Sequence, residues 1–224
     1  MHYELLYQPA FAVARITLQP GESIRAESGA MIGMSPNVEI SSKLPGGIGK
    51  AIGRVLGGES IFQTTFTAHN SIGEVLLAPA TPGDILPINP GAGLVVTSGC
   101  YLAGQTHLEM KTVASMKGFF AGEGLFMMQL IGDGLALLSS FGAVHAVNLE
   151  PGQQYVVDTG NLVAFTLGMN YAVRAAQKSL LGSFTSGEGY VVNLTGPGQI
   201  YIQTRTLNLG GSGGNGVNLL NLFN

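Results

Sequence analysis

The sequence predicts an all-β protein, a β-sandwich or barrel assembled from three diverged copies of a unit of ~65 residues. Three observations carry that prediction. Charged residues make up only 10% of the 224-residue chain while glycine occurs 34 times, a composition that suits many short strands joined by tight turns. A Pro-Gly pair recurs at Pro20-Gly21, Pro82-Gly83 and Pro151-Gly152, each time after an apolar run: FAVARITLQ, GEVLLAPAT and GAVHAVNLE. Nine residues after each of those prolines stands another glycine, Gly29, Gly91 or Gly160, followed by AMIGMS, AGLVVTSG and NLVAFTLG. Generic hairpins do not require equal offsets, so the pattern favours true repetition over a two-sheet sandwich that merely reuses turn residues.

Each unit therefore reads as a strand, a Pro-Gly turn, a strand, a glycine-containing turn, a strand, an irregular segment, a Gly-Glu turn and a closing strand. Proline presets φ for a turn and glycine supplies positive φ, so Gly21, Gly83 and Gly152 are assigned to equivalent turns. The Gly-Glu pairs are Gly58-Glu59, Gly122-Glu123 and Gly187-Glu188, leading into SIFQTTFTA, GLFMMQLIG and GYVVNLTG. The apolar stretch from Gly124 to Val147 reads as two buried strands around Gly132-Asp133-Gly134. In the closing QIYIQTRTL, alternation puts Ile200, Ile202 and Thr204 on one side and Tyr201, Gln203 and Arg205 on the other. The predicted organisation is one β domain over 1–209, with copies at about 12–72, 73–141 and 142–207, and a glycine-rich tail over 210–224 with an apolar tip. A flexible linker with a greasy end suits docking, on the chain itself or on a neighbour.

The segments before the Gly-Glu turns, 41–58, 109–122 and 173–187, differ from the rest and are expected to be short helices or ordered loops. Ile48, Ile52, Val55 and Leu56 fall at helical spacing, as do Val173, Ala176 and Leu180. These segments hold Lys43, Lys50, Arg54, Lys111, Lys117, Arg174 and Lys178, seven of the ten basic residues, against Glu109 alone. Equivalent insertions would emerge at one end, which would be basic above an acidic body. Two readings follow: a docking face for an anionic membrane surface or protein partner, or amphipathic elements packed on their own domain with solvated cations.

Catalytic and cofactor signals are absent. GGIGKAIG fails the phosphate-loop pattern, because Ala51 follows Gly49-Lys50 where Ser or Thr is required. There is no nucleophile elbow, and His2, His69, His107 and His145 lack metal-ligand spacing. No cofactor, metal or enzymatic activity is therefore expected. Glu59, Glu123 and Glu188 either cap the amides of their own turns or, brought round one axis, meet a cation. The single Cys100 excludes an internal disulfide and reads as a small buried apolar residue. A net charge of −3, no tryptophan and no basic stripe interleaved with aromatics speak against nucleic acid. MHYELLYQPAFAV has neither a basic lead-in nor a clean apolar run, and no window reaches the ~20 residues of a spanning helix. A cytoplasmic setting, at most peripheral to the inner membrane, and a homo-oligomeric state are expected.

ESGAMIGMS, GGESIFQTTFTA, GCYLAGQTHLEM, GEGLFMMQL and TRTLNLGG together resemble the mitochondrial biogenesis (altered inheritance of mitochondria) family, over nearly the whole chain and in the manner of a bacterial member. The resemblance implies the β fold of the tryptophan RNA-binding attenuation protein (TRAP-like). It implies little about activity, since the mitochondrial members are linked to inner-membrane organisation and no site residues carry across. The leading expectation is a non-enzymatic, oligomeric interaction or scaffold module. A ligand-binding or enzymatic barrel with a site between repeats is the alternative, and RNA binding by fold analogy is third.

Overall fold

The computed structural model describes residues 1–42, 63–97, 99–113, 127–176 and 190–206. Among them are nineteen strands and one short 3-10 turn at Thr159–Asn161. After β1 (His2–Leu6) come three groups of six. The first is β2 (Val13–Leu18), β3 (Ser23–Glu27), β4 (Met31–Met34), β5 (Val38–Ser42), β6 (Gln63–Ala68) and β7 (Gly73–Leu77). The second is β8 (Ile85–Ile88), β9 (Gly91–Thr97), β10 (Tyr101–Gln105), β11 (Glu109–Val113), β12 (Met127–Gly132) and β13 (Ala136–Ser139). The third is β14 (Val144–Leu149), β15 (Gln154–Asp158), β16 (Leu162–Thr166), β17 (Asn170–Ala175), β18 (Tyr190–Thr195) and β19 (Gly198–Gln203).

Pairing is the same in every group. The sixth strand lies between the first and third (β2-β7-β4, β8-β13-β10, β14-β19-β16), and the fifth between the second and fourth (β3-β6-β5, β9-β12-β11, β15-β18-β17). Each third strand even shifts register at one place, between Met31 and Gly33, Tyr101 and Ala103, and Leu162 and Ala164. These positions are two and four residues after Gly29, Gly99 and Gly160. Adjacent groups are sewn together by the second strand of one and the third strand of the next, β3 to β10 and β9 to β16. Four antiparallel sheets result, of four, six, six and three strands. None closes on itself, so the packed-sheet form of the expectation stands and the barrel form does not.

Burial follows from this arrangement. In β2 the alternation VARITL buries Ala14, Ile16 and Leu18 on one face, as a period of two requires. Strands of the two six-stranded sheets read differently: Leu94, Val95 and Val96 of β9 are all buried, because each of those sheets carries a core cluster on both faces. One cluster holds side chains of the first two groups, and the other two join the second and third groups. In β19 the predicted alternation separates Ile200 from Tyr201, but both are buried, in different clusters.

Three expectations change. The strand Gly73–Leu77, assigned from sequence to the second copy, pairs with β2 and β4 and so closes the first group. Gly83 is not in a hairpin turn. It forms a parallel bridge with Gly142, and an added Cβ would lie 1.7 Å from the Ser140 carbonyl oxygen. The middle turn between first and second strands is instead at Pro90-Gly91, eight residues later, with Gly91 at φ 53°. It matches Gly21 (82°) and Gly152 (79°), where Glu22 and Gln153 amides donate to the Gln19 and Glu150 carbonyls. The nine-residue offset survives the move, from Pro90 to Gly99. Finally, Ser41–Ser42, Glu109–Val113 and Val173–Ala175, placed from sequence in helical or loop insertions, are strand.

Candidate functional site

The strands that bear on function are the fourth and fifth of each group. β5 and β6 pair up to Ser42–Thr64, β11 and β12 up to Val113–Met127, and β17 and β18 up to Ala175–Tyr190. From these three hairpins depart 43–62, 114–126 and 177–189, so the connections occupy the same topological position three times. Lys43, Lys50, Arg54, Lys117 and Lys178, together with Glu59, Glu123 and Glu188, belong to the connections and lie outside the described residues. Five of the ten basic residues and three of the thirteen acidic ones are thus concentrated there.

Lys111 and Arg174 stand on the strands leading into two of these connections, both exposed. Lys111 Nζ is 2.7 Å from Glu109 Oε1, a solvated pair of the kind that contributes little to stability. The Arg174 guanidinium donates to the Ala175 carbonyl at 3.5 Å. Gly21 and Gly152 sit in hairpin turns with open space around them, and Gly83 is pressed against Ser140. Nothing ties those turn glycines to the basic residues.

Elsewhere the described surface holds no catalytic constellation. No group of three or more His, Cys, Asp or Glu side chains converges among the described residues. His69 pairs with Glu39 at 2.8 Å, and His107 contacts the Asp133 carbonyl, each at the surface. Cys100 is buried, and desolvation, with a smaller repulsion from Glu27, pushes its thiol up to about 12. It is held as a neutral apolar group, unsuited to nucleophilic work. Burial likewise pushes the Tyr101 hydroxyl up to about 12, outweighing the Arg25 charge, and that hydroxyl donates to the Arg25 carbonyl. One open cleft of about 260 Å³ lies where the first group meets the second, lined by Met1, Glu22, Gln105 and His107 among others. Its carboxylate, Glu22, is held below the usual range by a hydrogen bond from the N-terminal ammonium and another from the Gln19 amide. A solvated, fully charged carboxylate lacks the raised pKa of a general acid or base.

The fold and the described surface together define a class: a protein of packed antiparallel sheets with an apolar interior, single polar groups scattered outside, and three equivalent hairpins whose connecting sequences are rich in cations. The chain belongs to the mitochondrial biogenesis AIM24 family, whose model matches residues 3–205. An uncharacterised protein of Streptococcus pyogenes serotype M6 is 31% identical over 208 residues, covering 88% of this chain and 83% of that one. The crystal structure of the Streptococcus pyogenes protein SPYM3_0169 superposes with a TM-score of 0.78 at 29% identity, covering 92% of this chain and 94% of that chain. No helix among the described residues is long and apolar enough to cross a membrane.

Proposed function

We propose that this protein is a non-enzymatic, homo-oligomeric interaction module, built from three copies of a six-strand unit, that docks on an anionic surface through its hairpin connections. The observation that carries the reading is the threefold recurrence of the same hairpin opening into cation-bearing segments. Clustered Lys and Arg lower the free energy of association with an anionic interface, by about 1 kcal/mol per residue near a charged membrane surface. Apolar side chains in the same segments, such as Phe119, Phe120, Leu181 and Phe184, add interfacial burial once contact is made. Glu59, Glu123 and Glu188 offset part of this attraction, so binding is tuned to moderate strength and to salt. The setting this fits is cytoplasmic, beside the inner membrane.

The rival reading, a site between units, draws on the cleft at Glu22. That cleft is open and its carboxylate solvated, which supports transient contact with solutes better than chemistry. Co-sedimentation with vesicles tests the proposal: anionic vesicles at low salt bind the wild type, neutral vesicles do not, and high salt releases it. Changing Lys50, Arg54, Lys117 and Lys178 to Glu abolishes binding. Retention of the quadruple variant on anionic vesicles, or absence of wild-type binding under every condition, overturns the docking reading.

A further inference from the structure

Inside the chain, groups join by one rule. Ala26, Arg25 and Ile24 of β3 face Ala103, Gly104 and Gln105 of β10, and Val96, Val95 and Leu94 of β9 face Ala164, Phe165 and Thr166 of β16. Counted from the Pro-Gly prolines, the second-strand positions are six, five and four in both joints. Counted from Gly99 and Gly160, the third-strand positions are four, five and six in both. A chain of three groups makes two such joints and leaves one second strand, β15, and one third strand, β4, with a single ladder partner each among the described residues.

The side chains at these two ends behave as halves of a missing joint. Ile32 of β4 stands three residues after Gly29, and its counterparts Leu102 and Val163 are fully buried against the preceding group. Ile32 is 59% exposed. At the other end Val156 of β15 is 48% exposed, whereas its counterpart in the second joint, Val95, is 3% exposed, in the cluster shared with the following group. Its counterpart in the first joint is the half-buried Arg25, which donates to the Leu108 carbonyl of the following group. Tyr155 is exposed beside it, and Met34 beside Ile32. Edge strands with apolar side chains are templates for strand addition; neither strand carries a lysine or proline, and the register shift of β4 is shared by β10 and β16, which pair with the preceding group despite it.

We propose that β15 of one protomer pairs antiparallel with β4 of a second copy of this chain, continuing the internal rule at the register Gly33–Val157, Met34–Val156 and Ser35–Tyr155. The contact is heterologous, head to tail, so it generates a closed ring if the rotation between protomers closes and a filament if it does not. It follows strand-addition physics, with backbone hydrogen bonds for affinity and the Ile32 and Val156 faces for specificity. This inference rests on the oligomeric part of the proposed function, not on the anionic-surface part: a monomer that binds vesicles would sink the former and leave the latter.

Sedimentation velocity across a concentration series, with the full chain, tests it. Wild type forms multimers, while Ile32→Lys and Val156→Lys are each monomeric, since one blocks the head and the other the tail. Mixing the two single variants restores association but stops it at a 1:1 dimer, because each supplies the end the other retains. A monomeric wild type overturns the proposal, and so does a Val156→Lys protein that still dimerises, which would mean a symmetric β4 contact. Thermal melts confirm that the variants are folded. Independently, Met34→Cys combined with Val156→Cys should, on mild oxidation, give a ladder of covalent multimers. The paired positions fall within the ~4.4–6.8 Å Cα span of a disulfide, and the buried Cys100 takes no part. An intrachain disulfide would show the chain closing on itself, occupied ends included, and would overturn the proposal, as would no cross-link at all.

Discussion

Leu102 and Ile32 occupy the same place in consecutive six-strand groups, yet one is fully buried and the other 59% exposed. Sequence does not separate them, since both are large aliphatic residues three positions after a turn glycine. What differs is the neighbour: the second group has a group before it and the first has none. The lesson is that burial here belongs to the joint between groups and not to the strand, which is why a side chain's fate depends on its place in the series. Substitution breaks the symmetry in a measurable way. Leu102→Ala removes a side chain that touches the first core cluster and should cost about 2–5 kcal/mol in denaturant unfolding. Ile32→Ala should stay within ~0.5 kcal/mol at concentrations where the chain is monomeric. If Ile32→Ala costs as much as Leu102→Ala at every dilution, the ends are covered within one chain and the comparison fails.

A second contrast separates the three Pro-Gly pairs that look alike in the sequence. Gly21 and Gly152 need positive φ but have free space, whereas Gly83 has ordinary φ and no space, its missing Cβ pressed against the Ser140 carbonyl oxygen. Gly83→Ala must displace backbone and should cost about 1–3 kcal/mol or more. Gly21→Ala and Gly152→Ala should cost about 1–2 kcal/mol through the left-handed conformation alone. Asparagine, which tolerates that conformation, should recover most of the loss at Gly21 and Gly152 and none at Gly83. Equal behaviour of all three in thermal melts would return Gly83 to the hairpin role the sequence suggested.

That contrast also marks how far the sequence could be read. The all-β class and the break at Gly132-Asp133-Gly134 were visible, because turn chemistry and two-residue alternation are local, but the two strands flanking Asp133, β12 and β13, belong to different sheets and form no hairpin. The register of the middle group was not. Pro82-Gly83 and Pro90-Gly91 are both Pro-Gly pairs, each followed by a glycine at the same nine-residue offset, and only the partners of β13 and β12 decide between them. Residues 109–113 and 173–175 read as insertions from sequence because EMKTV and VRA carry charges, which an exposed sheet face accepts as readily as a loop does, and because Val173 also falls at helical spacing with Ala176 and Leu180. The candidate site was legible as a charge count and as three equivalent insertions ahead of the Gly-Glu pairs, since the composition of 43–62, 114–126 and 177–189 says which residues are cationic and the repeat says that the segments correspond. That the segments join paired strands, β5 to β6, β11 to β12 and β17 to β18, is a fact of pairing. The free ends were invisible for the same reason: an edge is defined by what fails to pair.

The finest contrast lies within one strand. Glu22, before β3, is solvated and held below the usual carboxylate range by the N-terminal ammonium and the Gln19 amide, while Glu27, at its other end beside the first joint, is raised by burial. The signs for stability are opposite. A carboxyl with a lowered folded pKa adds stability above its unfolded value and loses it as pH falls through the folded value. One with a raised folded pKa binds its proton more tightly in the folded state, so folding weakens as pH rises from the unfolded value through the folded one. Glu27→Gln removes the buried charge and should therefore raise the melting temperature at neutral pH, with the gain shrinking to nothing as pH falls below the ordinary glutamate range near 4.5. Glu22→Gln should do the reverse, lowering the neutral melting temperature and converging on wild type in acid. A Glu27→Gln protein less stable than wild type at neutral pH would mean that the Glu27 charge is wanted at the joint, and that β3 meets β10 through an ionic contact as well as through apolar burial.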